Sequence, residues 1–125
     1  MTGGISLLTK AEQAAESARV LLDLGDLEGA TNRAYYATFH AARAALAAVG
    51  VVPDGIKTHS TVIGLFGRHL VQAGHLDATH GRLLNRCQQL RALADYDVTG
   101  LSSETVEAAV NGAAAFVAAV RSLSP

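Results

Sequence analysis

One stretch of the chain combines cationic, phenolic and imidazole side chains at helical spacing. In residues 32–43, two arginines, two tyrosines, a phenylalanine and a histidine stand among alanines. Arg33 and His40 are seven residues apart, about two turns of an α-helix, so they share one helix face with Tyr36. Arginine binds phosphate through paired hydrogen bonds, and histidine titrates near neutral pH. This face is a candidate phosphate clamp beside a general acid or base.

The same spacing also fits a structural role. Arg33 would then pair with a carboxylate of a neighbouring helix, and His40 would be a hydrogen-bonded side chain at the edge of the core. One arginine and one histidine at helical spacing are common by chance, so spacing alone favours this interpretation. Aromatic residues such as Tyr35, Tyr36 and Phe39 are more often core residues than a base-stacking surface.

A second candidate begins at Arg91. Arg91 and Asp95 are four residues apart, a spacing that allows an ion pair within one helix. In a functional role Arg91 would bind a phosphate or a base, and Tyr96 would stack on a base or accept a modification. In a structural role Asp95 or Asp97 would hold an arginine across a helix bundle, and residue types alone favour that role.

Other chemistries find little support in the sequence. The remaining histidines lack the spacing of a helical zinc pair and Cys87 is the single cysteine, so we expect no metal site. Glycine-rich phosphate loops and the Gly-x-Ser-x-Gly elbow are absent, which excludes the enzyme classes that depend on them. We expect no cofactor.

Composition predicts one domain over residues 1–125, with a core spanning about residues 8–123. The 125 residues are 50% hydrophobic, and the formal net charge is -1. The charge does not indicate a basic surface for nucleic-acid binding, so any phosphate contact must be local. A lone, buried Cys87 fits a reducing compartment. Neither a signal peptide nor a membrane span is recognisable, so we expect a soluble, cytoplasmic protein without a membrane partner.

Capping and turn residues predict the helices that position these candidates. A capping box at Thr9 and Glu12 predicts a first helix from about Thr9 to Gly25. Asp26 caps a second helix that reaches about Val49, and the short connection predicts an antiparallel hairpin.

The rest of the chain continues the same pattern. Residues 50–55 are a loop. A third helix starts at about Thr58, with Thr58 or Ser60 as its cap, and ends at Gly74. A fourth, capped by Asp77, reaches about residue 94. Ser102 caps a last helix. Because no segment alternates with period two, the sequence predicts an all-α, antiparallel up-and-down bundle of four to five helices.

Three segments taken in order, residues 32–43, 57–66 and 91–97, resemble a prokaryotic HEPN domain of the small, stand-alone kind. The resemblance covers about residues 10–122. It implies a HEPN-like helical bundle that forms a homodimer and acts with a minimal nucleotidyltransferase protein. Many HEPN proteins are metal-independent endoribonuclease toxins, in which an Arg-x(4 to 6)-His motif from each subunit faces a shared cleft and no cofactor is needed.

The sequence departs from that motif in one place. In the toxin branch the motif lies near the end of the penultimate long helix, where this chain has Arg91 and Tyr96 but Asp95 near the position of the histidine. Arg33 and His40 satisfy the spacing, yet they lie on the second helix. The resemblance therefore assigns Arg91 and His40 as catalytic candidates.

The remaining site residues and the function follow from the same comparison. Nucleotide or RNA binding falls to Arg33, Tyr36, Asp95 and Tyr96, in a subunit of a toxin–antitoxin-like module with a nucleotidyltransferase. One alternative is an active, metal-independent endoribonuclease toxin. Another is a helical scaffold, because residues 25–30 before an aromatic-containing helix resemble a tetratricopeptide hairpin, although one hairpin is too few for that architecture.

Overall fold

The structure, a computed structural model, describes residues 3–51, 58–96 and 100–123. These residues form an all-α bundle without a strand, as the sequence predicts. The helices are α1 (Gly3–Asp23), α2 (Leu27–Ala48), α3 (His59–Phe66), α4 (Ala78–Tyr96) and α5 (Ser103–Arg121), and α3 continues directly into a π-helical segment, Gly67–Gln72. Residues 52–55 of the predicted loop lie outside the described ranges, and so do Lys57 and Asp97.

Four helix starts have the capping residues that the sequence predicts. Asp26, Thr58 and Ser102 each accept a hydrogen bond from the backbone N–H three residues later, at 2.8, 3.3 and 3.1 Å. Asp77 accepts one from the backbone N–H two residues later, at 3.0 Å. These bonds satisfy donors that the first helical turn leaves free. The four predicted caps are confirmed.

The predicted start of the first helix is wrong. Helix α1 begins at Gly3, so Thr9 lies inside the helix and does not cap it. The earlier start allows Leu7 to pack against the core and buries Leu8. Glu12, the other half of the predicted capping box, accepts a hydrogen bond from Arg121 and ties α1 to α5.

Small side chains let the helices approach closely at the centre of the bundle. Ala11 and Ala18 of α1 and Ala34 and Ala41 of α2 have no exposed surface. Larger side chains fill the space between the remaining helices, among them the buried Phe66 of α3, Leu84 of α4 and Phe116 of α5. The close packing makes the α1–α2 hairpin a firm base for the polar side chains of α2.

Helix α4 runs antiparallel to α2. Thr38 of α2 lies beside Cys87 of α4, and Tyr35, one turn earlier on α2, lies under Arg91, one turn later on α4. Cys87 is buried as predicted, and its burial raises the pKa of the thiol to about 11. The antiparallel packing brings the carboxyl end of α4 to the amino-terminal half of α2.

Candidate functional site

The half-buried ring of Tyr36 is the meeting point of three nitrogen-bearing side chains. The guanidinium carbons of Arg33 and Arg91 lie 5.1 and 5.8 Å from the centre of the Tyr36 ring. The imidazole ring of His40 lies 5.8 Å from it, centre to centre. These distances allow cation–π attraction for both arginines. We call Arg33, Tyr36, His40 and Arg91 the Tyr36 cluster.

Arg91 turns towards the rings of α2. Its guanidinium carbon lies 4.9 Å from the centre of the Tyr35 ring, and its Nε is buried without a hydrogen-bond partner among the described residues. The helical ion pair with Asp95 that the spacing allows is not among the ion pairs of the described residues. The Arg91 guanidinium stacks on the rings of α2 instead, while Asp95 is exposed.

Arg33 is held by its sequence neighbour. Its Nε and Nη2 donate to the side-chain oxygen of Asn32 at 3.3 and 2.9 Å. Within the described ranges, the ion pairs are Arg19–Asp23 and Arg121–Glu12, so Arg33 has no carboxylate partner there. The structural role predicted for Arg33, a cross-helix ion pair, is therefore not observed in that part of the chain.

The first cavity beside this cluster has mixed charge. Its volume is about 330 Å³. The lining residues come from the end of α1, the α1–α2 connection, α2 and α4: Leu21, Asp26, Glu28, Gly29, Asn32, Arg33, Arg91, Ala94 and Asp95. We call it the Arg91 cavity. Two guanidinium groups and three carboxylates share its walls, which is suited to a ligand with both phosphate oxygens and hydrogen-bond donors.

Tyr96 stands apart from the other predicted residues. Its side chain is 91% exposed, and it is not among the residues that line the Arg91 cavity. Helix α4 extends two residues beyond its predicted end, so Asp95 and Tyr96 are both helical. The structure thus brings Arg33, Arg91 and Asp95 to one cavity and leaves Tyr96 facing solvent.

A second cavity lies on the other side of Arg33, between α1 and α2. Its volume is about 310 Å³. Polar side chains of both helices line it: Lys10, Gln13, Ala14, Ser17, Arg33 and His40. We call it the α1–α2 groove. Because Arg33 lines both cavities, the groove and the Arg91 cavity are neighbours on one polar surface.

The groove favours the neutral form of His40. Burial and the nearby charges of Lys10, Arg43 and Arg33 lower its pKa from 6.5. Its Nδ1 is buried and has no hydrogen-bond partner among the described residues. A neutral imidazole with a free nitrogen can accept a proton from a bound ligand or donate a hydrogen bond to it.

Beneath the cluster, aromatic rings form a rigid support. Tyr35 is 1% exposed, and burial raises the pKa of its hydroxyl. His59, at the start of α3, lies 5.0 Å from the Tyr35 ring and 4.6 Å from the Phe39 ring, centre to centre. Burial, and secondarily Arg91, lowers the pKa of His59. The sequence pattern did not predict this packing role of His59.

Sequence reasoning also missed the α1 side of the site. Lys10, Gln13 and Ser17 recur at helical spacing and lie opposite Arg33 and His40. The spacing itself was a usable signal, since residues three and four apart share a helix face. Polar residues at helical spacing are expected on any solvent-facing surface, so this spacing alone does not distinguish a binding site from an ordinary helix surface.

Two further findings concern the described residues alone. No group of three or more histidine, cysteine, aspartate or glutamate side chains lies close enough together there to hold a metal ion. Among the helices that the structure describes, none is both long enough and apolar enough to cross a membrane.

Comparison with known proteins identifies the class. The family model for the HEPN domain matches residues 6–123, nearly the whole chain. The protein therefore belongs to the HEPN domain family, and the resemblance inferred from three short segments is confirmed. A match of this extent includes the α1–α2 hairpin in one HEPN domain.

Three relatives show how the family extends across prokaryotes. A "UPF0332 protein" of Gloeobacter violaceus is 41% identical over 90 residues, covering 72% of this chain and 69% of the relative. "Putative toxin MJ0605" of Methanocaldococcus jannaschii is 33% identical over 112 residues, covering 90% and 81%. A "UPF0332 protein" of Thermotoga maritima is 30% identical over 115 residues, covering 91% and 85%.

Proposed function

We propose that this HEPN-domain protein binds a nucleotide or RNA at the Tyr36 cluster, as one subunit of a toxin-type module with a minimal nucleotidyltransferase. The observation that carries the proposal is the convergence of two guanidinium groups and an imidazole on the Tyr36 ring. Neither guanidinium pairs with a carboxylate among the described residues. The name of the Methanocaldococcus relative supports the toxin-type assignment.

The cluster offers a distinct contact to each part of a nucleotide. The guanidinium groups of Arg33 and Arg91 bind phosphate oxygens through charge-assisted hydrogen bonds. The partly exposed Tyr36 ring gives a base an aromatic surface, and the exposed Asp95 carboxylate accepts hydrogen bonds from a base or a ribose.

Protein partners belong to the same proposal. Leu24 and Tyr96 are 75% and 91% exposed, and Leu93 is also exposed; Leu24 follows α1, and the other two lie in the last turn of α4. Large apolar side chains that are exposed in one subunit are candidates for a protein–protein contact. We propose a homodimer, together with an association with the nucleotidyltransferase.

Ligand binding is tested with labelled probes. Fluorescence anisotropy measures the affinity of a labelled single-stranded RNA, and labelled ATP is titrated separately. Arg91→Gln should weaken binding of the RNA or the nucleotide by about tenfold, the loss expected for one charge-assisted contact. Arg82→Gln, which removes an exposed arginine from the same helix, should have little effect. A wild-type protein that binds neither probe would overturn the proposal of ligand binding.

Partner binding is tested by co-expression with a minimal nucleotidyltransferase, which the proposal expects to be encoded beside this protein. The two chains should co-purify as a complex, and the molar mass of the HEPN protein alone should be that of a dimer. If the purified pair does not associate and neither protein changes the other's activity, the module assignment is refuted. A monomer at micromolar concentration would refute the homodimer.

One observation favours a second candidate function, metal-independent RNA cleavage. His40 carries an unpartnered, neutral imidazole in the same groove as Arg33. In a cleavage reaction the imidazole would take the proton of an RNA 2'-hydroxyl as that oxygen attacks the phosphorus, and a guanidinium would steady the scissile phosphate. The bond from phosphorus to the 5'-oxygen would break, and water would supply the proton to that oxygen. Cleavage in the presence of EDTA that disappears in His40→Ala and Arg91→Ala would support this activity. A wild-type protein that does not arrest cell growth when expressed and that leaves RNA intact would refute it.

A further inference from the structure

The α1–α2 groove differs in charge from the Arg91 cavity. Lys10 from α1 and Arg33 from α2 supply two cations to the groove, and no carboxylate is among its described lining residues. The Arg91 cavity, in contrast, carries Asp26, Glu28 and Asp95 on its walls. A cavity with cations and neutral hydrogen-bonding groups selects an anion, because no like charge opposes it.

We propose that the α1–α2 groove is a phosphate-binding subsite, in which Lys10 and Arg33 hold the phosphate oxygens and His40 donates a hydrogen bond. The inference rests on the proposed function, since Arg33 also lines the Arg91 cavity. A ligand that occupies both cavities carries at least two phosphates. One phosphate lies in the Arg91 cavity, and the next lies in the groove. Successive phosphodiesters of RNA and the phosphate chain of a nucleotide both have this chemistry.

His40 gives the strongest local argument for an anion. The positive charges that face it are Lys10 from α1 and Arg33 and Arg43 from α2. A concentration of positive charge that disfavours the imidazolium ion favours a bound phosphate. The buried Nδ1 of His40 also lacks a hydrogen-bond partner among the described residues, and buried polar atoms normally have one.

Space and hydrogen-bonding groups are sufficient for a phosphate ester. The groove holds about 310 Å³, roughly ten times the volume that one water molecule occupies in the liquid, about 30 Å³. Gln13 and Ser17 add an amide and a hydroxyl from α1. Such neutral groups complete the coordination of oxygens that the two cations do not reach.

Inorganic phosphate is the first probe. In an NMR titration of the full chain, phosphate should shift the His40 ring signals with saturation and raise the pKa of His40. Lys10→Gln should weaken phosphate binding about two- to fivefold, the effect of one solvent-exposed charge, and Lys10→Arg should retain it. Arg68→Gln is the matched control, since Arg68 is exposed and lies outside the groove lining.

RNA and mononucleotide probes then distinguish the sources of the phosphate. For single-stranded RNA, Lys10→Gln should reduce the slope of log K against log salt by about 0.7, the value for one lost phosphate contact. AMP, with one phosphate, should bind equally well to wild type and Lys10→Gln, whereas ATP should lose affinity if a nucleotide chain occupies the groove. Thermal melting verifies that each variant is folded.

The outcomes separate this inference from the proposed function. If RNA or ATP binding depends on Arg91 but is the same in Lys10→Gln and Arg68→Gln, the subsite is refuted and the proposed function stands. If phosphate binds in the groove through Lys10 while neither RNA nor ATP binds, the proposed function fails and the subsite stands. A titration in which phosphate leaves the His40 signals unchanged overturns the inference.

Discussion

The guanidinium carbon of Arg91 lies 4.9 Å from the centre of the Tyr35 ring, although the two residues are on different helices. Tyr35 is 1% exposed, so the arginine covers one of the most buried aromatic rings of the protein. The contact fixes the carboxyl end of α4 against α2 and carries the Arg91 guanidinium to within 5.8 Å of the Tyr36 ring. It is the packing step that assembles the site.

Arg91→Lys should reduce both stability and ligand affinity, although it preserves the charge. Lysine has no planar group to stack on Tyr35 and Tyr36, and it donates at a single point. We expect a loss of about 0.5–1 kcal/mol in the free energy of unfolding, measured by urea denaturation. Arg82→Lys on the same helix should change this value by less than about 0.5 kcal/mol. Equal effects of the two substitutions would contradict the stacking role.

Acidification should destabilise the protein below about pH 6.5. The pKa values of His40 and His59 are lowered in the folded state, so the unfolded chain binds more protons between those lowered values and 6.5. Stability is therefore fully present above pH 6.5 and falls as the pH drops through the folded-state pKa values. Burial opposes protonation of both imidazoles, and Lys10, Arg43 and Arg33 add to it at His40, as Arg91 does at His59.

Melting temperatures measured between pH 8 and pH 5 test this dependence. The combined variant with His40→Asn and His59→Asn should show a shallower fall than wild type. His75→Asn, at an exposed histidine, is the control and should leave the slope unchanged. If the melting temperature of the combined variant falls as steeply as that of wild type, other groups take up the protons and the prediction is wrong.

Two glycines should respond to alanine in opposite directions. Gly25, in the α1–α2 connection, has φ of +84°, a conformation that strains any residue with a Cβ. Gly25→Ala should therefore cost about 1 kcal/mol in unfolding free energy. Gly64 lies inside α3 with open space around an added Cβ, so Gly64→Ala should stabilise the protein by up to about 1 kcal/mol. Shifts of the same sign, measured by urea denaturation, would contradict this account.

Local sequence signals predicted most of the helix boundaries. Asp26, Thr58 and Ser102 cap their helices because capping depends on a side chain and a backbone N–H only a few residues away. The spacing of Thr9 and Glu12 is also that of a capping box, so it predicted a helix start at Thr9. Helix α1 instead begins at Gly3, and Leu8, just before Thr9, is buried in the core. A capping motif involves only a few neighbouring residues, so it carries no information about the tertiary packing of the helix.

The site was predicted only in part, because it joins residues from three helices. Arg33, Tyr36 and His40 share a face of one helix, and their grouping follows from the period of the helix. The approach of Arg91 to Tyr36 depends on how α4 packs on α2, and that of Lys10 to His40 on how α1 packs on it. Such pairings follow from tertiary packing and not from spacing along the chain.

Mapping where RNA contacts the protein tests the central claim most directly. A short single-stranded RNA containing 4-thiouridine is bound to the wild-type protein, cross-linked by light and located by mass spectrometry of the digested chain. The account predicts cross-links on α2 around Tyr36 and at the carboxyl end of α4 around Arg91, and their loss in Arg91→Gln. Cross-links confined to α5 or to the π-helical segment would contradict it.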